Sequence, residues 1–514
     1  MNVLKKLISL SSITFFSRIL GFVRDSLIAY MFGVSETTDS FFLAFKIPNL
    51  LRRIFSEGFF SQVLIPILSK YKKNCNIKVI QNFFSNILGF MIVILSVVTI
   101  FGIFFSYDII SVLAPGLNNS SYKFRLTTEL LKIIFPYVLF ISLGSLIGSV
   151  LNTWNYFFIP ACSPVLFNLN VIIFILYFSS YFKVSVFSLA WAVLLGGFIQ
   201  FIYQIPFLKK IDMLVFPKFC IKILEIQKIF NKIIVVIIGI STNQISIIIN
   251  TIFSSFLVTG SISWMYYSDR LIEFISGIFG VSLGTILLPL LSNSVVNANR
   301  KEYYKLLDWS LRIGCLIAIP SSIALAILSK TIVIVLFQYG NFSIYDVIMT
   351  KNILILHSIG LIPLILIKIM LPGFYSNNEF KTPILISIFI LIVTQMMNLF
   401  FLSYLNQNSF ALSASIASWI HCILLFRKLL KKKLFCFEPG WLIFLGKIFV
   451  SVLVMVSILT VNLHIFYNLS SEIIIVKFFQ LFLICFLSGC SYLITLFALG
   501  LRLYHFSFFM YKKY

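Results

Sequence analysis

The 24 residues FFSNILGFMIVILSVVTIFGIFFS (83–106) contain no charged side chain. As a helix this run would rise about 36 Å, enough to cross the roughly 30 Å hydrocarbon core of a bilayer. The composition says that such runs are the rule in this chain. Of 514 residues 60% are hydrophobic and 17% aromatic, and only 11% are Asp, Glu, Lys or Arg, against roughly 25% charged in a soluble domain. One or two water-soluble cores cannot hide so much apolar surface, so lipid must serve as solvent for much of it. An ordinary cytosolic enzyme, a secreted disulfide scaffold and a disordered chain are excluded. The eight cysteines form no C-x-x-C pair, and most lie in apolar runs. They read as small apolar side chains, with neither a disulfide framework nor a metal site.

Working outward from 83–106, further runs of spanning length occupy 8–33, 36–56, 129–151, 159–178, 185–208, 231–258, 264–291, 311–337, 350–375, 382–404, 409–430, 441–466 and 473–502. The expected fold is therefore an all-α polytopic membrane protein with about fourteen transmembrane helices. Continuous apolar runs do not suit the alternating strands of a barrel. The N-terminal MNVLKKLISLSSITFF resembles a signal peptide, but no small-residue cleavage site follows and Arg18 interrupts the run, so it reads as a retained first span.

The net charge of +24 is mostly an orientation signal. With the N-terminus inside, the inside connections hold Lys70, Lys72, Lys73 and Lys78, the six lysines of 209–232, Arg300, Lys301, Lys305 and Arg312, Lys381, and the basic run 427–433. The outside connections hold only Lys123, Arg125, Lys183 and Lys351. The positive-inside rule then places both termini in the cytoplasm. These loops read as topology determinants beside anionic lipid, with no nucleic-acid role.

A short internal repeat is present. QVLIPILS (62–69) resembles TILLPLLS (285–292) at an offset of 223, and the same offset aligns Asn155 with Asn378 and Pro160 with Pro383. Six spans lie between the copies. An even number implies equal orientation, and hence two six-helix lobes in parallel repeat about an axis along the membrane normal. The expected division is residues 1–210, residues 211–430, and two additional C-terminal helices in 431–514.

The first two spans carry charges that lipid would exclude. Span one contains Arg18, Arg24 and Asp25; span two contains Asp39, Lys46, Arg52 and Arg53, with Glu57 at its end. Each such group costs roughly 2.5–3.5 kcal/mol at a helix centre on insertion scales. Asp39, Lys46 and Arg53 recur every seven residues and form one stripe, with Asn49 on it; Arg18 and Asp25 share a face for the same reason. Pro48 should bend the second span. Span eight carries Asp269, Arg270 and Glu273 at helical spacings. The pattern suggests a hydrated cavity with a gate pairing Asp39 or Lys46 with the Asp269–Glu273 group.

A surplus of arginine in such a cavity suits an anionic ligand, because guanidinium forks match phosphate oxygens. Depth favours function for Arg24 and Arg270. Arg52 and Arg53, near a span end, read equally well as snorkelling side chains, as does Lys368; Lys447 reads as snorkelling. His357, His421 and His464 read as structural, and the Gly277, Gly280 and Gly284 face as helix packing. The sequence has no Walker motif, no H-E-x-x-H, no G-x-S-x-G and no acidic cluster on a loop, so no cofactor, metal or enzymatic activity is expected.

The stretches SRILGFVRDSLIAYMFG (17–33), TDSFFLAFKIPNLLRRIFSEGFFSQVLIPIL (38–68), SWMYYSDRLIEF (263–274), GTILLPLLS (284–292) and PGFYSNNEFKTP (372–383) strongly resemble the MurJ (MviN) family of lipid II flippases. That family lies within the multidrug/oligosaccharidyl-lipid/polysaccharide exporter superfamily. The resemblance covers essentially the whole chain, including PGW (439–441) before the last two helices. It implies translocation of undecaprenyl-pyrophosphate-linked disaccharide-pentapeptide from the inner to the outer leaflet by alternating access, for peptidoglycan and cell-wall biogenesis and cell shape. It implies functional roles for Arg18, Arg24, Asp39, Arg52, Arg53 and Arg270, cavity or gate positions at Asp25, Asn49, Ser263 and Glu273, and a groove for the lipid tail on the last two helices. Lipid II and membrane lipids are the implied partners, with room for transient contacts with other cell-wall synthesis proteins. An exporter of another polyprenyl-linked oligosaccharide is the alternative. A membrane-embedded envelope-synthesis enzyme would need a catalytic acid cluster or an extracytoplasmic domain, and neither is visible.

Overall fold

The computed structural model describes residues 3–55, 64–119, 121–218, 244–465 and 474–501. Among them the regular structure is helical, with no strand. Ten helices are long and apolar enough to cross a membrane: Ile77–Phe104, Tyr122–Thr153, Phe158–Tyr181, Phe187–Lys210, Arg300–Phe337, Ile344–Tyr375, Lys381–Leu405, Asn408–Lys431, Trp441–Ile465 and Ile474–Ala498. The other four expected spans differ for identifiable reasons. The helices Val3–Phe32 and Glu36–Arg52 carry the intramembrane charges. Span eight is split into Ser261–Ser276 and Ser282–Val296 by a wider π segment, Gly277–Val281. Span seven is described only from Gln244, as a short apolar helix; Lys222, Lys228 and Lys232 lie outside the described residues, as does Glu57. The outward faces are apolar as lipid requires: Leu442 is 87% and Phe104 78% exposed. The chain is an integral membrane protein.

We label the helices in chain order: α1 (Val3–Phe32), α2 (Glu36–Arg52), α3 (Ile65–Asn74), α4 (Ile77–Phe104), α5 (Ser106–Leu113), α6 (Ser121–Ile134), α7 (Tyr137–Thr153), α8 (Phe158–Ile173), α9 (Phe187–Lys210), α10 (Gln244–Ser254), α11 (Ser261–Ser276), α12 (Ser282–Val296), α13 (Arg300–Phe337), α14 (Ile344–Tyr375), α15 (Lys381–Leu405), α16 (Asn408–Lys431), α17 (Trp441–Ile465) and α18 (Ile474–Ala498). α2 begins at a capping box: Ser35 accepts from the Thr38 amide, while Thr38 Oγ1 accepts from the Ser35 amide at 2.8 Å. It runs on through Pro48 to Arg52 and passes into a π turn over 53–55.

Two compact units emerge, Met1–Ser263 with Tyr339–Ser343, and Trp264–Gln338 with Ile344–Tyr514. The offset of 223 reappears in their local structure. α4 starts at Ile77 and α13 at Arg300; α8 starts at Phe158 and α15 at Lys381. Asn155 and Asn378 both adopt left-handed backbone, at φ 67° and 57°. Around them the same bonds close the helix: Asn155 N to Asn152 O and Asn378 N to Tyr375 O, both 3.0 Å, then Tyr156 N to Leu151 O at 2.9 Å and Glu379 N to Phe374 O at 3.1 Å. The second of each pair is the 6→1 bond of a Schellman C-cap. In the second unit α17 and α18 pack on α13 through Cys315, Leu316, Ile448, Met455, Tyr492 and Leu496.

Candidate functional site

In the first unit, helix geometry places the α1 charges against α8. Arg24 Nε and Nη2 donate to Asp25 Oδ1 at 3.0 and 2.7 Å, and Nη1 donates to Asn168 Oδ1 at 2.9 Å. Asn168 Nδ2 donates to Ser17 O at 3.1 Å, tying α8 to the preceding turns of α1. The guanidinium also lies over the Phe167 ring, 6.0 Å from its centroid. Both charged side chains are largely buried, at 12% and 4% exposure. A guanidinium paired this way is oriented and desolvated, and a phosphate could take over N–H groups that Asp25 now occupies.

Asp39 is fully committed. Its Oδ2 accepts from Lys123 Nζ at 3.0 Å and Gly260 N at 2.7 Å; its Oδ1 accepts from Ser263 N at 3.0 Å and Ser263 Oγ at 2.6 Å. One carboxylate thereby satisfies amide donors at the start of α11, which have no partner within their own helix. These partners differ from the Asp269–Glu273 group expected from sequence. Lys123, assigned above to an outside connection, is 5% exposed. The packing of α6 on α2 buries it, and nothing in its neighbours in sequence signalled this.

Lower on α2, Lys46, Asn49, Arg52 and Arg53 are half-buried. Arg52 Nε donates to Asn49 Oδ1 at 2.9 Å, the i,i+3 pair that helical spacing allows. Tyr137 was not singled out from sequence, although it packs against Phe167 and Phe45 with ring centroids 5.8 and 6.2 Å away. The structure leaves Arg18 half-buried on α1.

In the second unit, α11 buries most of its surface but exposes Asp269 and Glu273, one turn apart. Arg270 lies beside them. Its Nη1 donates to Glu273 Oε2 at 3.1 Å, its Nη2 to Tyr266 Oη at 3.2 Å, and it lies over the Tyr266 ring at 4.9 Å. Asp269 faces His357 Nδ1 at 3.3 Å. Lys368 donates from Nζ to Ser276 O at 3.2 Å, so it ties α14 to the end of α11. Gly280 permits this approach: a Cβ there would lie 2.8 Å from Lys368 Cδ. Open charge on a span that is otherwise packed calls for water or a polar ligand, because lipid cannot solvate it. Among the described residues no group of three or more His, Cys, Asp or Glu could hold a metal ion.

Comparison with known proteins identifies the family. A family profile described as "Lipid II flippase MurJ" matches residues 28–481. The probable lipid II flippase MurJ of Buchnera aphidicola subsp. Baizongia pistaciae is 58% identical over all of both chains. The lipid II flippase MurJ of Burkholderia cenocepacia is 39% identical over 89% of this chain and 90% of its own. The solved structure "Lipid II flippase MurJ, inward closed conformation" superposes with a TM-score of 0.77 at 26% identity, covering 95% of this chain and 98% of that one. An inward-facing multidrug resistance MATE family transporter of the MOP superfamily matches at a TM-score of 0.66 and 13% identity, over 83% of this chain and 98% of its own, and shares the fold alone. The chain belongs to the MurJ family of lipid II flippases.

Proposed function

We propose that this protein carries lipid II, the undecaprenyl-pyrophosphate-linked peptidoglycan precursor, from the inner to the outer leaflet of the cytoplasmic membrane by alternating access. The observation that carries the reading is Arg24, a guanidinium nine-tenths buried on a membrane helix, where a bilayer would exclude it. Arg24 on α1 and Arg270 on α11 supply N–H groups to the pyrophosphate oxygens. Arg18, Arg52 and Arg53 guide the anion toward them, with Asn49 orienting Arg52. Asp25 and Glu273 hold the two arginines between cycles, and Asp39 with Ser263 holds the start of α11. Lys46 and Asp269 complete the charged faces.

Both termini lie in the cytoplasm in this reading, and the lobes divide at 1–210 and 211–430. The pair α17–α18 within 431–514 forms a groove for the long lipid tail, supported by exposed apolar side chains such as Phe449 and Phe486. The protein performs transport and no bond-making chemistry.

The test is a proteoliposome assay with fluorescent lipid II, quenched by a membrane-impermeant reagent from outside. Inserted protein should expose internal lipid II to the quencher. Equal movement of an uncharged polyprenyl alcohol would contradict the pyrophosphate reading. Movement of a polyprenyl-pyrophosphate bearing another sugar, without movement of lipid II, would favour the alternative exporter.

A further inference from the structure

A polar cavity in the second unit contains none of the arginines assigned to the pyrophosphate. It has a volume of about 270 Å³ and is bounded by α13, the start of α17 and Leu501 beyond the end of α18. Its wall is a single built unit. Asp308, 3% exposed, accepts from Arg312 Nε at 2.8 Å, from Trp441 Nε1 at 2.6 Å and from Glu438 N at 3.4 Å. Arg312 Nη2 in turn donates to the carbonyls of Glu438 and Pro439 at 3.2 and 3.0 Å. Its plane covers the Trp441 and Phe444 rings, 5.2 and 5.6 Å from their centroids. The Asp308 charge is therefore spent on Arg312.

Two further cations line the same space, Lys305 from α13 and Lys447 from α17. Among the described residues neither has a carboxylate within ion-pair distance. Counting Lys305, Arg312 and Lys447 against Asp308 and Glu438 leaves the cavity with one positive charge in excess. Lys447 sits six residues into a spanning helix, is half-buried and lines this space.

The surroundings are amphiphilic. Ile443 on the cavity rim is 68% exposed and its neighbour Leu442 87%, giving an apolar path from the cavity into lipid. Trp441 also lines a second cavity of about 290 Å³ whose other lining residues are mainly apolar, including Leu311, Leu366 and Phe426. A phosphate ester joined to acyl chains matches this sequence of surfaces, whereas a free phosphate would use only the polar part. Basic pockets between spanning helices are known to suit anionic headgroups.

We propose that this cavity seats the phosphate headgroup of an anionic glycerophospholipid from the leaflet that carries the basic loops, with Lys305 and Lys447 meeting the phosphate oxygens. The bound lipid fills the joint between α13 and the terminal helix pair.

The test is native mass spectrometry of the full chain, purified in detergent and titrated with phosphatidylglycerol or phosphatidylcholine. The wild type should retain phosphatidylglycerol in preference. The double variant Lys305→Gln/Lys447→Gln should lose roughly tenfold in phosphatidylglycerol affinity with phosphatidylcholine binding unchanged. The single variant Lys305→Gln, at an exposed position, should lose part of it with an unaltered Tm. The control Lys183→Gln/Lys351→Gln should bind as the wild type does. An unchanged preference in both the single and the double variant overturns the proposal, as does equal loss in the control. Displacement by millimolar inorganic phosphate as readily as by lipid would overturn the lipid as the occupant.

Discussion

The Lys123 ammonium lies 3.0 Å from Asp39 Oδ2, with side-chain exposures of 7% and 1%. Breaking a buried pair from one side leaves an uncompensated charge, which typically costs about 3–5 kcal/mol. Lys123→Met should therefore lower the Tm in detergent sharply and reduce transport. Adding Asp39→Asn should restore part of the Tm, because the charge left behind is gone, yet transport should stay low. A Lys123→Met protein as stable as the wild type would show that the pair contributes nothing.

The two left-handed asparagines offer a test of the repeat. Asn tolerates this conformation better than most residues, and a Cβ there costs roughly 1–2 kcal/mol where no local side-chain bond offsets it. Asn155→Gly and Asn378→Gly should leave the Tm nearly unchanged or raise it slightly, while Asn155→Ala and Asn378→Ala should each lower it by an equivalent of about 1 kcal/mol. The matched pattern at both positions, read by thermal unfolding, follows from their identical turn bonds. A loss at one site and none at the other would break the correspondence.

Glu379, in the turn before α15, sets an acid limit on one latch. Lys432 Nζ lies 2.7 Å from its Oε1, and Thr382 Oγ1 donates to the same oxygen at 2.7 Å. These bonds hold the carboxyl below its ordinary range. A group with a depressed folded pKa contributes stability above its unfolded pKa and loses it as pH falls through the folded one. The Tm of the wild type should therefore fall more than that of Glu379→Gln between pH 6 and pH 3. The effect is small, since the pair is solvent-screened, and parallel curves would remove the latch from the account.

Arg24 is held by two partners in different directions, Asp25 and Asn168. A lysine carries the charge but cannot span both as a planar fork. Arg24→Lys should keep the Tm within a few degrees and slow lipid II translocation at least about tenfold, a loss of roughly 1.4 kcal/mol in transition-state terms. Wild-type rates in Arg24→Lys would mean that charge alone suffices.

The spans and the 223-residue offset were legible because hydropathy and chain order are one-dimensional properties. So was the placement of Asn49 among the basic side chains of α2, although the stripe drawn above sets it with Lys46 and Arg53 and its bond at 2.9 Å is to Arg52. Three features were not. Arg24 bends along its own helix to its neighbour Asp25, which a face-sharing rule for Arg18 and Asp25 does not anticipate. Lys123 lies at the start of an apolar run, where a lysine ordinarily snorkels, and only α6 packing on α2 buries it. Asp308 and Trp441 meet across 133 residues of chain, a separation no local pattern spans.

The central claim is that buried arginine on the spanning helices handles the pyrophosphate of lipid II. Its most direct test is the accessibility of lipid II at the outer leaflet of cells depleted of their own flippase and supplied with this protein or its variants. Wild-type protein should restore accessibility, and Arg24→Ala and Arg270→Ala, at equal membrane abundance, should each fail to do so. Full accessibility with both arginines replaced, or none restored by the wild type at normal abundance, would contradict the account.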